Sequence, residues 1–438
     1  MQVKTILNQV QKFKSFVYKS VSWVGEQATP ELAVKVVERA NGRPICSGCG
    51  QSRVGYDRLS KRRFEFVLLW GIKVFLVYAP RRVNCPDCGV RVEQMPWAMG
   101  KRPLTKSYGW FLASWARRLS WKETSEVFRT SWESVFRSVE MAVEWGRAHQ
   151  NLRCVRAIGI DEIAWRKGHK YLTLVYQIDS HCKRLLWIGK ARKVKTLLGF
   201  FRWFGTQRSQ ELQYVCSDMW KPYLKVIAKK AGQAVHVLDR FHIMAHFSKA
   251  LDKVRASEVK ELKANGHEPV LTKTRWLLLK RPDNLSDKQE TKLAELLKCN
   301  LRSVRAYLLK EEFQLFWVYR SPDWAGRFLE QWCTKTMRSK IEPMKGVARM
   351  LRTHLELLLN WFRAKGQFSS GVVEGFNTKA KLTSRKSFGF RTFRGAQIAL
   401  CHSLDDLPEP DFTHKFCRRA AFSRLTDKLQ TSNLQSRR

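Results

Sequence analysis

The chain has 438 residues, 81 of them Lys or Arg against 38 Asp or Glu, giving a formal net charge of +43. Hydrophobic residues make up 44% and aromatic residues 12%, enough apolar surface for packed cores, which excludes wholesale disorder. A charge of this size strains a compact fold by self-repulsion unless a polyanion neutralises it. Nucleic acid is therefore the expected partner, and an ordinary small-molecule enzyme is not expected. The length suits roughly two to four domains.

The N-terminus carries no secretory pattern, because Lys4, Lys12 and Lys14 interrupt its apolar stretches. The most apolar later run, Phe66 to Ala79, contains Lys73 and is too short to span a bilayer. No membrane partner is expected. Residues 1–100 read as mostly β-structure. Phe64–Trp70 and Ile72–Ala79 are rich in β-branched and aromatic residues and meet at Gly71, which predicts a hairpin. Cys46-Ser-Gly-Cys49 and Cys85-Pro-Asp-Cys88 are each followed by glycine. Two such knuckles aim four thiolates at one point, the ligand set of a closed structural Zn2+ site with no open coordination position. A redox pair needs only one C-x2-C and usually sits in a βαβ context. The remaining cysteines are scattered and read as buried thiols of a reducing compartment.

Helical periodicity takes over at 101–150. Ser120-Trp-Lys-Glu123 and Thr130-Ser-Trp-Glu133 read as capping boxes opening two helices, about 121–128 and 132–145, after a first helix over about 105–118. A trihelical unit of this kind fits a helix-turn-helix, with Ser134, Arg137 and Ser138 facing outward on the helix that enters a major groove. A plain helical hairpin is the alternative.

Between 151 and 240 short apolar runs alternate with helical patterns. Strands are predicted at 155–162, 171–178, 184–189, 212–218 and 234–239, with helices at 195–204 and 220–230. Three antiparallel-looking strands followed by helix, strand, helix and strand is the ribonuclease-H-like order. The first strand ends in Asp161-Glu162, which point to opposite faces, and the fourth ends in Asp218. Two carboxylates facing each other coexist cheaply only with a cation between them or with one protonated, and oxygen ligation favours Mg2+ or Mn2+. The third acid is expected on a helix capped by Ser370. There Glu374, Asn377 and Lys381 share a face, and Lys379, Lys381, Arg385 and Lys386 flank the acid with phosphate-binding charge. Two metals held this way would drive phosphodiester displacement. Asp239, His242 and His246 are spaced to share a helix face but lack a zincin glutamate. A supporting role, or an ordinary polar helix start, is the reading for them. Residues 241–360 look almost entirely helical.

In this order, the cysteine pairs, the helix-turn-helix around Ser120–Val139, Ile158-Gly-Ile-Asp161-Glu162, Ser217-Asp218-Met-Trp-Lys-Pro-Tyr223, Leu238-Asp239-Arg-Phe-His242 and Glu374-Gly-Phe-Asn377 resemble the DDE transposases of bacterial insertion sequences, specifically the IS-L-three family. The likeness runs over nearly the whole chain. It implies that Asp161, Asp218 and Glu374 match the catalytic triad, with a helical insertion between the last two. The implied activity is metal-dependent cleavage and strand transfer at the terminal inverted repeats of an insertion sequence. The implied partners are double-stranded DNA of the element ends and of the target, and a homodimer or higher oligomer on DNA. The expected location is the bacterial cytoplasm, at the nucleoid.

The resulting expectation is a multidomain α+β protein. It has an N-terminal β-rich zinc-binding domain (1–100), a helix-turn-helix domain (101–150), a ribonuclease-H-like α/β catalytic domain (151–240 and 361–410), an all-helical insertion (241–360) and a C-terminal tail (411–438). Two other readings share features with it. A non-enzymatic zinc and helix-turn-helix regulator has no need of the three acids, and a metal-dependent nuclease would share the chemistry without strand transfer.

Overall fold

A computed structural model of the protein describes residues 2–166, 168–266, 270–365 and 371–410. The expected tail at 411–438 and the expected cap Ser370 lie outside the described residues. The chain forms two compact units, one from the described parts of Met1–Gln150 and Arg385–Arg438, the other from Asn151–Ser384.

The first unit opens with α1 (Val3–Val10) and seven strands: β1 (Phe16–Val24), β2 (Glu31–Glu38), β3 (Val54–Arg58), β4 (Arg62–Leu69), β5 (Ile72–Tyr78), β6 (Arg81–Cys85) and β7 (Gly89–Val92). They form a four-stranded sheet in the order β1-β2-β5-β4 and a three-stranded sheet in the order β3-β6-β7. The expected hairpin is β4–β5. Its two-residue turn has positive φ at both positions, Trp70 at 51° and Gly71 at 78°, the combination of a type I′ turn whose twist matches the flanking strands. Alternation buries Phe64, Phe66, Val74, Leu76 and Tyr78 around Trp97. That indole is fully buried, with the rings of Phe16, Phe13 and Tyr78 at 4.9, 5.1 and 5.5 Å. Glu93, 2% exposed, is satisfied by the Tyr78 hydroxyl and by a two-pronged Arg81 guanidinium.

Three helices follow: α2 (Lys106–Trp115), α3 (Trp121–Val127) and α4 (Trp132–His149). The Ser120 capping box closes with both bonds, 3.2 and 2.7 Å. The second box does not form as expected. The cap of α4 is Ser131, whose hydroxyl accepts the Ser134 amide at 3.1 Å, one residue later than Thr130.

The second unit holds a five-stranded sheet: β8 (Ala157–Arg166), β9 (Lys170–Ile178), β10 (Lys183–Lys190), β11 (Tyr214–Ser217) and β12 (Val235–Leu238), in the order β10-β9-β8-β11-β12. β9 is antiparallel to both β10 and β8, whereas β11 runs parallel to both β8 and β12. α5 (Val194–Phe204) and α6 (Thr206–Gln210) precede β11, and α7 (Lys221–Lys230) links it to β12. The succession of strands and helices read from 155–239 is thus observed, with α6 added. The largest boundary difference among them falls on β8. β8 does not end at Asp161-Glu162; it continues four residues to Arg166, still paired with β9.

A helical excursion then runs through α8 (Arg240–Ala264), α9 (Arg275–Leu279), α10 (Asp287–Leu297), α11 (Arg302–Gln314), α12 (Pro322–Arg338), α13 (Glu342–Thr353) and α14 (Leu355–Arg363). Its own core includes Phe247, Phe313, Phe316 and Trp332, all fully buried. α15 (Gly371–Lys386) follows, and α16 (Phe393–Leu404) returns to the first unit, where Arg394 pairs with Glu140 of α4 at 2.6 Å. No described helix is long and apolar enough to cross a membrane. Of the scattered cysteines, Cys216, Cys333 and Cys401 are buried as expected, whereas Cys154 is exposed.

Candidate active site and metal centre

The parallel registers level three aspartates. Cys216 of β11 pairs with Gly159 of β8, and Ser217 with Leu238 of β12. Continuing both registers by one or two residues puts Asp218 beside Asp161 on one side and beside Asp239 on the other. Asp239 extends the ladder itself, donating its amide to the Ser217 carbonyl at 2.9 Å. The row lies at the carboxyl ends of β11 and β12, where open α/β sheets place their ligand crevices.

Each acid has its own support. The Asp161 carboxylate accepts the Glu162 amide at 2.7 Å and a side-chain amide N–H from Asn377 of α15. Asn377 is itself 7% exposed and accepts the Tyr176 hydroxyl at 2.9 Å. α15 can approach this closely because Gly159 has no side chain; a Cβ there would lie 2.4 Å from Val373. Asp218 accepts the Trp220 amide at 3.0 Å and a guanidinium N–H of Arg192. Arg192 also reaches Glu162 at 3.2 Å and lies 4.6 Å over the Trp220 ring. It follows Ala191, whose φ of 76° is uncommon for a non-glycine residue. Asp239 caps α8 through the Phe241 amide at 2.7 Å and holds the His242 imidazole at 2.8 Å.

Electrostatics mark the cluster as short of positive charge. Burial, with Asp218 and Asp161 nearby, pushes the Glu162 carboxyl up to about 8 despite Arg192. Its Oε1 is buried without a hydrogen bond. Burial also raises Asp161, against the pull of the Glu162 amide, His242 and Asn377. The Asp239 hydrogen bond, with the charges of Asp239, Asp161 and Asp218, raises His242. Crowded, desolvated acids of this kind fit a divalent cation bound through oxygen.

The expected trio is not assembled as a ligand set. Among the described residues, only the cysteines bring three or more ligand atoms to one point. Asn377 engages Asp161, Arg192 engages Asp218, and Glu374 is exposed one turn before Asn377 on α15. Lys379, Lys381, Arg385 and Lys386 are exposed further along α15, and Lys386 bonds the Arg118 carbonyl. On α4, Arg137 is exposed and paired with Glu133 at 2.6 Å, and Ser134 is half-buried. Ser138 does not face outward. It is 3% exposed, its hydroxyl donates to the Ser134 carbonyl, and it packs beside Gly109 of α2. Trp132, 60% exposed, offers a large apolar surface on the same helix.

Arg192 and Tyr176 contact the carboxylate row directly or through Asn377, and sequence reasoning misses both. Arg192 belongs to no motif, and Tyr176 reads as one more apolar strand residue. Asn377 has a signal in its Glu-x-x-Asn spacing from Glu374.

The cysteine quartet is assembled. The four sulfurs lie within 4.8 Å of one another, and Cys49 and Cys85 are 3.6 Å apart. Zn–S bonds of about 2.3 Å imply tetrahedral sulfur edges near 3.8 Å, so these thiols fit zinc. Gly50 and Gly89 have φ of 74° and 71°, the curl expected after each pair. Gly48 donates its amide to Cys46 Sγ at 3.4 Å.

A family described as transposase, the IS-L-three DDE group, matches residues 158–399. The transposase of insertion sequence element IS1001 from Bordetella parapertussis is 26% identical over 350 residues, spanning 79% of this chain and 85% of that one. The transposase of IS1557 from Mycobacterium tuberculosis, strain ATCC 25618 / H37Rv, is 30% identical over 373 residues, spanning 79% and 82%. With the carboxylate row and the cysteine cluster, these matches establish that the chain belongs to the IS-L-three family of DDE transposases.

Proposed function

We propose that the chain binds the terminal inverted repeats of its insertion sequence and carries out Mg2+-dependent strand cleavage and strand transfer on a ribonuclease-H-like core. The observation that carries this reading is the levelled row of Asp161 and Asp218, with α15 laid on β8 at Gly159 and Asn377. The strand order β10-β9-β8-β11-β12 supports the ribonuclease-H-like assignment. Asp161, Asp218 and Glu374 would hold Mg2+ or Mn2+, which when bound would supply activation of water, and later of a 3′-hydroxyl, for phosphodiester displacement. Glu374, exposed one turn before Asn377 on α15, would complete the set by turning toward the row, and Asn377 fixes the orientation of Asp161. Arg192 offsets the charge of Asp218. Lys379, Lys381, Arg385 and Lys386 contact phosphates.

In the other unit, α3 and α4 serve as the helix-turn-helix, with Arg137 and Ser134 toward the major groove and Ser138 holding α4 against α2. The Cys46, Cys49, Cys85 and Cys88 zinc is structural. The sequence expectation divides the chain into 1–100, 101–150, 151–240 with 361–410, and 241–360; the proposed catalytic segment after the helical excursion is shortened to end at Ser384, because the described residues from Arg385 on group with the first unit. The protein works in the bacterial cytoplasm, as a homodimer or higher oligomer on element ends and target DNA.

Mg2+-dependent nicking of an end-containing duplex, run beside a gel shift, tests the reading. Ala at Asp161, Asp218 or Glu374 is expected to abolish nicking and leave binding intact. Nicking that survives Asp218→Ala but not Asp239→Ala would move the second ligand to Asp239, which occupies the same row. Loss of binding in all three variants would mark these acids as structural.

A further inference from the structure

α5 and α7 both start at the carboxylate cluster, α5 two residues after Arg192 and α7 three residues after Asp218. Between them, with α6, runs a groove of about 1090 Å³. Its lining carries Arg202, Lys221, Lys225, Lys229 and Lys230 and neither Asp nor Glu. All five cations are exposed, and among the described residues none is ion-paired. Some other cations of the same unit are matched to acids, as in Arg302–Glu261, Lys335–Glu312 and Arg349–Glu342, and others, such as Lys292 and Arg305, are single exposed charges. Ion-pair compensation does not account for five cations on one lining with no acid among them.

Helix-dipole compensation does not account for the row either. It favours Lys229 and Lys230 in the last turn of α7 but disfavours Lys221 in the first. Lys221, Lys225 and Lys229 lie at i, i+4 and i+8, about 6 Å apart along the axis at 1.5 Å per residue. That spacing is comparable to that of successive phosphates along a strand. Phe201, Leu198 and Val226 give the groove an apolar floor.

We propose that this groove is a second DNA-binding site, which takes the phosphodiester backbone of the duplex being cut or joined and leads it away from the carboxylate row along α7. The proposal rests on the transposase reading above, because the duplex is the one engaged at Asp161 and Asp218. Lys221, Lys225, Lys229 and Arg202 act as point charges on phosphates, so they add affinity but no sequence preference.

The test uses the full-length protein with no magnesium added, so that binding is read without cleavage. Fluorescence anisotropy follows an end-containing duplex and a random-sequence duplex across a salt series. The variant is Arg202→Gln/Lys225→Gln/Lys229→Gln; a Lys225→Arg/Lys229→Arg companion keeps the charge. The slope of log affinity against log salt is expected to fall by about 0.9 for each phosphate no longer neutralised, so by roughly 2–3 in the triple variant. The companion is expected to keep the parent slope. A fall on the end duplex alone assigns the groove to element DNA, and a fall on the random duplex alone assigns it to target DNA; either supports the proposal. Unchanged slopes on both duplexes overturn it while leaving the catalytic reading standing. A parent protein that binds neither duplex would overturn the transposase reading itself.

Discussion

Asn377 and Asp161, 216 residues apart in sequence, are joined by a hydrogen bond whose direction is set by a third residue. The Tyr176 hydroxyl occupies the Asn377 carbonyl oxygen at 2.9 Å, so the amide N–H is the end left for the Asp161 carboxylate. Tyr176 is fully buried and stacks on Phe376, with ring centroids 5.0 Å apart. A packed strand residue thus dictates how a helix presents itself to the acid.

Asn377→Asp sets a second carboxylate against Asp161, and one of the two must then titrate above its ordinary value. An acid whose folded pKa is raised costs stability as pH climbs from the unfolded value to the folded one. The variant is expected to match the parent near pH 4 and to be weaker by about 1–3 kcal/mol at pH 8. Urea unfolding at the two pH values measures this. An equal deficit at both would mean that the two side chains do not meet.

Arg192→Ala removes the cation shared by Glu162 and Asp218. The guanidinium is about one-third exposed, so solvent screening limits the loss to roughly 1–2 kcal/mol without added metal. Mg2+ is expected to raise the melting temperature of the variant more than that of the parent, because the acids then lack their internal counter-charge. Equal shifts in a thermal melt would dissociate Arg192 from the metal-binding acids.

His236 belongs to β12, its Nε2 2.8 Å from the Ser217 hydroxyl at the end of β11, and burial lowers its pKa to about 4. A base depressed in the folded state binds its proton more readily when unfolded. Stability is therefore lost as pH falls from about 6.5 through 4. His236→Gln is expected to flatten that part of the profile by about 2–3 kcal/mol between pH 7 and 4. Parallel profiles for variant and parent in urea titrations would show that His236 does not contribute to acid unfolding.

Gly48→Ala would place a methyl group 2.8 Å from Cys88 Sγ. The knuckle has to shift, and the four sulfurs lose their common centre. Purified parent protein is expected to carry about one zinc per chain, as a closed site requires. Gly48→Ala is expected to carry less and to release it to a chelator faster. Full zinc occupancy and unchanged release in the variant would mean that the knuckle absorbs the methyl group.

Features specified over a few neighbouring residues are legible in the chain: the two C-x2-C turns, the Ser120 cap and the apolar runs of β8 to β12. The misreadings share a cause. The apolar pattern of β8 is interrupted at Asp161-Glu162 and resumes at the buried Ile163, and β9 supplies backbone partners across the interruption. Ser138 reads as outward because it is polar, yet its small side chain satisfies itself on the Ser134 carbonyl and fits against Gly109. The level of Asp239 with Asp218 is a matter of register between parallel strands, which no local pattern encodes. Arg192 meets Glu162 and Asp218 only once β10, β8 and β11 are side by side.

The helical excursion leaves and rejoins the sheet at one strand. α8 departs from Asp239, the residue after β12, and α14 comes back to the same strand, where the Asn360 side chain donates to the His236 carbonyl at 2.9 Å. Stem and return share an anchor, so the segment behaves like a loop drawn closed at its neck. Lengthening or trimming its outer helices leaves the neck spacing unchanged, and with it the distance between β12 and the start of α15. Relatives of different length can therefore remodel this lobe freely while keeping a common sheet, and an engineered reporter domain is best spliced at its exposed turn around residues 281–284.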